Sequence, residues 1–137
     1  MYDCLFCRII AQEIPSTSIY EDEHTYAFLD LHPVHPGHVL VVPKKHASGF
    51  LEADPSALEH WIRAAQIVAR AVKEGLQAGG INLIQNEGAA AGQVIAHLHL
   101  HIIPRYTEDG LRPWPSQAYA SDEDRQAVAE KIKRATT

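Results

Sequence analysis

The sequence predicts an α+β domain in which several antiparallel strands accompany one long helix and two peripheral ones. Three observations carry that expectation. Short alternating or β-branched runs recur between turn residues, as in the segments 17–30, 38–43 and 81–86. One stretch, Leu58 to Leu76, repeats apolar residues at helical spacing over many turns. A chain of 137 residues is also long enough for one domain with a genuine core.

The elements follow in order. Residues 5–12 form the first short helix. TSIYEDEHTYAFLD, 17–30, reads as two strands around the polar turn Glu21–Glu23. In the second, Tyr26, Phe28 and Asp30 share one face, and Ala27, Leu29 and Leu31 share the other. HPVHPG is a loop stiffened by proline, and HVLVVP, 38–43, is a short strand ended by Pro43. The long helix is punctuated at both ends. Asp54 is the expected N-cap with Pro55 in the first helical position. Leu58, Trp61, Ile62, Ala65, Ala69, Val72 and Leu76 form its apolar stripe, and Gly79 and Gly80 supply the stop. INLIQN, 81–86, is the next strand, EGAAAG a tight connection, and 93–103 the strand that carries three histidines. After Pro104 comes an irregular tail with Pro113, Trp114 and Pro115. A helix over about 122–134 closes the chain, with Ser121 as N-cap and Asp124 as its capping-box partner.

Composition narrows the function. Hydrophobic residues at 46 % and charged residues at 21 % are an ordinary soluble balance. No apolar run approaches the ~20 residues of a membrane span, so no membrane association is expected. MYDCLFCRIIAQEIP lacks the basic and apolar regions of a signal peptide, which makes the cytoplasm the expected location. A net charge of -5 argues against a nucleic-acid partner. It leaves room for a small phosphorylated ligand held by backbone N–H groups and neutral imidazoles. Both cysteines, Cys4 and Cys7, fall in CLFC. A reducing cytosol disfavours a structural disulfide, leaving a metal half-site, a redox pair or two buried thiols. A redox pair would follow a strand in a βαβ unit, and none precedes Cys4.

His97, His99 and His101 stand at every second position of HLHLHIIPR. In a strand such residues point the same way, so three imidazoles form one row while Leu98, Leu100 and Ile102 turn to the core. The row reads as an exposed polar face, a three-histidine metal site, or phosphate chemistry in which one imidazole attacks phosphorus. The neighbours decide. QNEGAAAGQ, with Gly88 and Gly92, is a turn whose backbone N–H groups can approach an anion closely. Asn86 and Gln93 bracket it with neutral donors. Phosphate chemistry is the reading that uses all of these.

HLHLHII fits the alternating histidine signature of the histidine triad (HIT) superfamily. CLFCRIIAQEIPSTSIYEDEHTYAFLDLHPVHPGHVLVVPKKH resembles the N-terminal half of its Hint-like branch, of bacterial type, and the Asn86–Gln93 turn agrees. The resemblance covers roughly residues 4–106 of a single domain 1–137, with 107–137 as C-terminal tail and helix. It implies a five-stranded antiparallel sheet with one long helix and shorter flanking helices, paired with a second copy into a ten-stranded homodimer. It also implies that His99 is the nucleophile at the α-phosphorus of a purine nucleotide conjugate, forming a nucleotidyl-histidine intermediate. His101 and His38 would assist. Asp30 would take the ribose hydroxyls, Ile19, Phe28 and Leu31 the base, and Asn86, Gly92 and Gln93 the phosphate; Phe28 and Leu31 would serve equally as core residues. Trp114 matches a tryptophan that reaches the partner's site in relatives.

The implied enzyme is a nucleotide hydrolase of phosphoramidase type. The alternatives are a dinucleoside polyphosphate hydrolase and a non-catalytic nucleotide-binding dimer. Val94 departs from the pattern, standing where many eukaryotic relatives carry a serine that contacts the leaving group; valine has no proton to donate. Bacterial members of this type hold structural zinc with the residues matching Cys4, Cys7, His46 and His97, and all four are present. Four protein ligands leave no open position on the metal.

Overall fold

The computed structural model describes residues 3–136. Five strands form one antiparallel sheet in the order β1-β2-β3-β5-β4: β1 (Ser18–Glu21), β2 (Thr25–Leu29), β3 (Val39–Pro43), β4 (Gly80–Ile84) and β5 (Leu100–Arg105). Three helices flank it: α1 (Leu5–Ile10), α2 (Pro55–Gly75) and α3 (Asp122–Ala135). The expected α+β architecture and the five-stranded sheet are both present.

The β1–β2 hairpin turns one residue later than the sequence suggests. Asp22 Oδ1 accepts the backbone N–H groups of His24 and Thr25, both at 2.8 Å, so the Asp side chain reinforces the backbone bond from the Asp22 N–H to the Thr25 carbonyl at 3.0 Å. β2 is buried on both faces, which its alternating pattern requires: Ala27 faces α2 while Tyr26 and Phe28 face α1. The strand ends at Leu29, so Asp30 and Leu31 begin the loop instead of extending the strand's faces.

α2 lies on one face of the sheet. Trp61, Ala64, Ala65, Val68 and Val72 pack against Ala27, Val39, Val41, Leu98, Leu100 and Ile102. The large indole sets the helix rotation, and its Nε1–H donates to the Val41 carbonyl at 2.9 Å. Ile62 stands about 100° round the helix from Trp61 and is 53 % exposed, so it leaves the expected stripe, as does Leu76; Ala64 and Val68 take their places. The helix also ends earlier than Gly79. Gln77 adopts φ 53° and the Ala78 N–H reaches back to the Lys73 carbonyl at 3.0 Å, a left-handed C-terminal cap without glycine. The two glycines belong to the sheet: the Gly79 N–H bonds the Arg105 carbonyl at 2.9 Å, and Gly80 opens β4.

α1 covers the other face with Phe6 and Ile9 against Tyr26, Phe28, Leu40 and Val42. α3 buries nothing and stands on local terms: Ser121 Oγ accepts the Asp124 N–H at 3.1 Å, with Arg125–Asp122 and Lys133–Glu130 pairs one turn apart.

The histidine strand is shorter than 93–103. β5 begins at Leu100, and 93–99 is irregular. The cause lies in its partner. β3 ends at Pro43, which has no N–H to continue the ladder, and the Pro43 carbonyl is taken by the His97 ring at 2.8 Å. The Leu98 N–H goes instead to the Ala47 carbonyl, at 2.8 Å. The alternation survives this interruption. Leu98, Leu100 and Ile102 all face α2, which sends the three imidazoles to the α1 side.

Candidate active site and metal centre

His101 on β5 sits opposite Leu40 of β3, and His38 stands one residue ahead of β3. Their rings meet with His38 Nε2 2.9 Å from His101 Nδ1. One backbone group decides who donates. The Val34 N–H points at His38 Nδ1 at 3.1 Å, so Nδ1 is the acceptor and the His38 proton must sit on Nε2. His38 Nε2–H then donates to His101 Nδ1, and the only nitrogen left to carry the His101 proton is Nε2. A relay of two neutral rings thus presents one N–H donor. Burial keeps both rings neutral: it pushes His101 down to about 4, reinforced by His99 and His38, and lowers His38 as well, with Asp30 opposing in each case.

His99 is oriented by a different carbonyl. Its Nδ1 lies 2.7 Å from its neighbour's carbonyl oxygen, that of His97, which can only accept. The proton is therefore on Nδ1, and Nε2 keeps its lone pair. The ring is buried and its basicity lowered by that burial, so it is neutral at ordinary pH. Phe6 stands edge-on to it with centroids 5.1 Å apart, and the His101 ring is 5.0 Å away on the other side. One imidazole with a free lone pair beside another with a free N–H can attack a phosphorus atom and bind an oxygen on it.

Asp30 is brought to this pair. Its N–H donates to the His38 carbonyl at 2.9 Å and its Oδ1 accepts the His32 N–H at 2.9 Å. Oδ2 lies 3.7 Å from His38 Nε2, leaving acceptor capacity toward a ligand. Phe28 is buried between Phe6 and Tyr26, with centroids 5.6 Å from each. Ile19 is exposed on β1, and Leu31 is 77 % exposed in the loop after β2. In the Gly88–Gly92 turn both glycines have positive φ, 85° and 95°, and Asn86 Nδ2 would stand 3.7 Å from a Cβ at position 92. Gln93 builds the turn itself: Oε1 accepts the Gly88 N–H at 2.8 Å, and Nε2 donates to the carbonyls of Ser48 and Ile95. Val94 is 88 % exposed, and Trp114, 78 % exposed, is part of an open cavity of about 500 Å³ with Leu83, Arg105 and Leu111.

The first triad histidine has left the row for another cluster. His97 Nδ1 lies 3.4 Å from Cys4 Sγ, 3.6 Å from Cys7 Sγ and 3.2 Å from His46 Nδ1, while Cys7 Sγ is 3.4 Å from His46 Nδ1. Tetrahedral zinc, with Zn–S of ~2.3 Å and Zn–N of ~2.0–2.1 Å, demands N···S edges of about 3.5 Å and an N···N edge of about 3.3 Å. The three N···S contacts and the N···N contact given above fit those edges, and all four donors lie within 4.8 Å of one another. His97 Nε2 lies 2.8 Å from the Pro43 carbonyl, which fixes its proton there and frees Nδ1 as ligand. Burial, then the adjacent Cys4 thiol, push Cys7 up to about 11. Holding these sulfurs as thiolates takes a cation.

Sequence reasoning named the side chains of both clusters. It missed Phe6, whose ring also stands edge-on to His97 with centroids 5.9 Å apart. The signal available was its position inside CLFC, between two candidate ligands on a helix. It also missed the carbonyls of Pro43 and His97 and the N–H of Val34, which no residue type advertises.

The HIT domain family model matches residues 11–108. The chain is similar to Protein hit of Bacillus subtilis, 40 % identical over 137 residues, covering 96 % of this chain and 93 % of the relative. It is also similar to the adenylylsulfatase HINT3 of Arabidopsis thaliana, 40 % identical over 116 residues, covering 85 % of this chain and 58 % of that protein. Among solved structures, a HIT family protein from Bacillus subtilis superposes with TM-score 0.89 at 40 % identity, over 97 % of this chain and 96 % of that one. A zinc-bound histidine triad family protein from Mycobacterium smegmatis does so with TM-score 0.77 at 34 % identity, over 97 % of each.

Proposed function

The chain belongs to the HIT domain family, and from that premise we propose that it hydrolyses purine nucleotide conjugates at the α-phosphate through a nucleotidyl-histidine intermediate. The observation that carries the reading is the pair of opposite tautomers at positions 99 and 101: a lone pair on His99 Nε2 beside an N–H on His101 Nε2. The nucleotide lies with its ribose hydroxyls on Asp30 and its base beside Ile19, Phe28 and Leu31. Asn86 and the turn ending in Gly92 hold the phosphate, with Gln93 keeping that turn in shape. His99 Nε2 forms a bond to the α-phosphorus as the bond to the leaving group breaks, and the leaving group departs with the electron pair. The ring becomes cationic, and the His97 carbonyl on its Nδ1–H stabilises that charge. His101 Nε2–H binds the oxygen on which negative charge builds, and His38 holds His101 in that tautomer. Water then attacks phosphorus and gives a proton to solvent, the P–N bond breaks, and nucleoside monophosphate leaves as His99 regains its lone pair.

The Arabidopsis relative is named for adenylyl sulfate. For this chain the reading includes such a conjugate beside phosphoramidates, because a leaving group that departs as a stable anion needs no proton from position 94. Cys4, Cys7, His46 and His97 would hold zinc, which supplies structural cross-linking of α1 to the histidine segment. Thiolate ligands suit the reducing cytoplasm, and two copies would pair into a homodimer. The test is a turnover screen against adenosine phosphoramidate, adenylyl sulfate and diadenosine polyphosphates. His99→Ala should abolish turnover, by several orders of magnitude, while monophosphate still binds. Near-normal turnover in that variant would sink the covalent mechanism.

A further inference from the structure

A carboxylate outside the nucleotide site ties together the two segments that carry His38 and His101. Asp109 lies in the tail, one residue beyond the stretch the family model matches, with its side chain only 6 % exposed. It accepts Arg105 Nε at 2.7 Å and Nη2 at 2.9 Å, and the backbone N–H groups of Tyr106 and Leu111 at 3.1 Å each. Gly110, with φ 83°, makes the turn that brings Leu111 back to it. Arg105 is the last residue of β5, four positions after His101. Its guanidinium, and then the Tyr106 N–H, hold the Asp109 carboxyl far below the usual range. The group is a fixed anion.

The other side of this anion faces the loop between β2 and β3. His35 Nε2 lies 3.2 Å from Asp109 Oδ2, a close contact outside hydrogen-bond geometry. The His35 ring stands edge-on to Tyr106, with centroids 5.9 Å apart. The same loop sets the relay. The His35 carbonyl accepts the His38 N–H at 3.0 Å, and Val34 next to it supplies the N–H that determines the His38 tautomer. The His38–His101 contact is a bond between neutral rings on separate segments, 63 residues apart in sequence. Hydrogen bonds weaken steeply as the angle closes, so a loop that slid along the strand would break it. His101 could then move its proton to Nδ1 and lose the donor it presents.

We propose that Asp109, bonded to Arg105 and packed against His35, is a positioning residue that holds the loop of His38 in register with the strand of His101. The proposal rests on the reading of His99 and His101 as reacting groups. It is tested in the full-length, zinc-replete protein with Asp109→Asn, His35→Leu and His35→Gln. The two His35 variants leave the Arg105–Asp109 pair in place, so they carry the test if Asp109→Asn fails to fold. Two readouts are followed: kcat against KM for adenosine phosphoramidate, and the ring N–H of His38 in its bond to His101, seen as a downfield, exchange-protected imidazole proton resonance. Asp109→Asn and His35→Leu should lower kcat roughly ten- to a hundredfold, the scale of a misplaced catalytic group, with KM little changed, and should lose the resonance. His35→Gln, whose amide can reach the carboxylate, should recover both. Retention of the resonance in Asp109→Asn or His35→Leu would overturn the proposal whatever kcat does, as would equal losses in His35→Leu and His35→Gln. Failure of the nucleotidyl-transfer reading would show separately, as turnover in His99→Ala with the resonance still responding to His35.

Discussion

His99 and His101 are the same residue type two positions apart, and different backbone neighbours give them opposite chemistry. The His97 carbonyl puts the His99 proton on Nδ1, while the Val34 N–H, acting through His38, puts the His101 proton on Nε2. Asp30 is the acceptor beside them. A hydrogen bond to a charged acceptor is worth ~1.5–3 kcal/mol, so Asp30→Ala should raise the Kd for AMP roughly ten- to a hundredfold. Titration calorimetry with AMP and its dideoxy analogue checks this; equal affinities of the unaltered protein for the two would contradict the role. The relay also has a pH signature. His101 titrates at about 4 in the fold against an ordinary 6.5. Between those values the unfolded chain gains a proton on this ring and the folded chain does not. Stability is therefore full above about 6.5 and declines as the pH falls toward about 4. Urea denaturation across that window should show the decline, and His101→Gln should make it shallower, with His97, which burial also lowers to about 4, keeping part of it. An unchanged slope in the variant would place the decline elsewhere.

At the scale of elements, α1 is too short to be stable alone. It is held by Phe6 and Ile9 beneath it and by the Cys4 thiol at its N-terminus, which caps the helix with Sγ 3.5 Å from the Cys7 N–H. A zinc site with ligands drawn from three separate segments would exist only in the folded chain, so its binding would be folding free energy. Chelation or Cys4→Ser should lower the Tm and free the N-terminus to proteolysis, and metal analysis should find about one zinc per chain. Turnover should fall by less than in His99→Ala, because none of the four residues is assigned a contact with substrate. Metal-free protein of unchanged Tm would defeat the zinc centre. α2 was legible in its start at Asp54 and Pro55 but not in its rotation. Periodicity allows both Ile62 and Val68 on an apolar stripe, and only the seating of Trp61 under the Val41 carbonyl chooses between them.

For the whole molecule, β4 is one of the two edge strands of the sheet, and it presents Leu83 at 57 % exposure, with Ile62 and Ile67 exposed on α2. An edge with unpaired N–H and C=O groups and an apolar side chain is a pairing surface. Two copies joined there would make the ten-stranded sheet. Sedimentation should give twice the 15.2 kDa chain mass, and Leu83→Lys should shift it toward the monomer. A monomer mass for the unaltered protein at all concentrations would rule the pairing out.

Local and periodic features were legible in the order of residues: the strand pattern that turns three histidines to one side, the Asp-Pro start of α2, the Ser121 cap, and the cysteine pair as half of a ligand set. Those features are set by steric rules acting over a few residues. Folding alone decides that β5 starts at Leu100, that Nδ1 is the His97 atom turned to the cysteines 90 and 93 residues away, and which nitrogen of each imidazole carries its proton. The reason is physical. The groups that make those decisions, the carbonyls of Pro43 and His97 and the N–H of Val34, are backbone atoms that nearly every residue possesses. They acquire a role by position alone, and position exists only after the chain has folded.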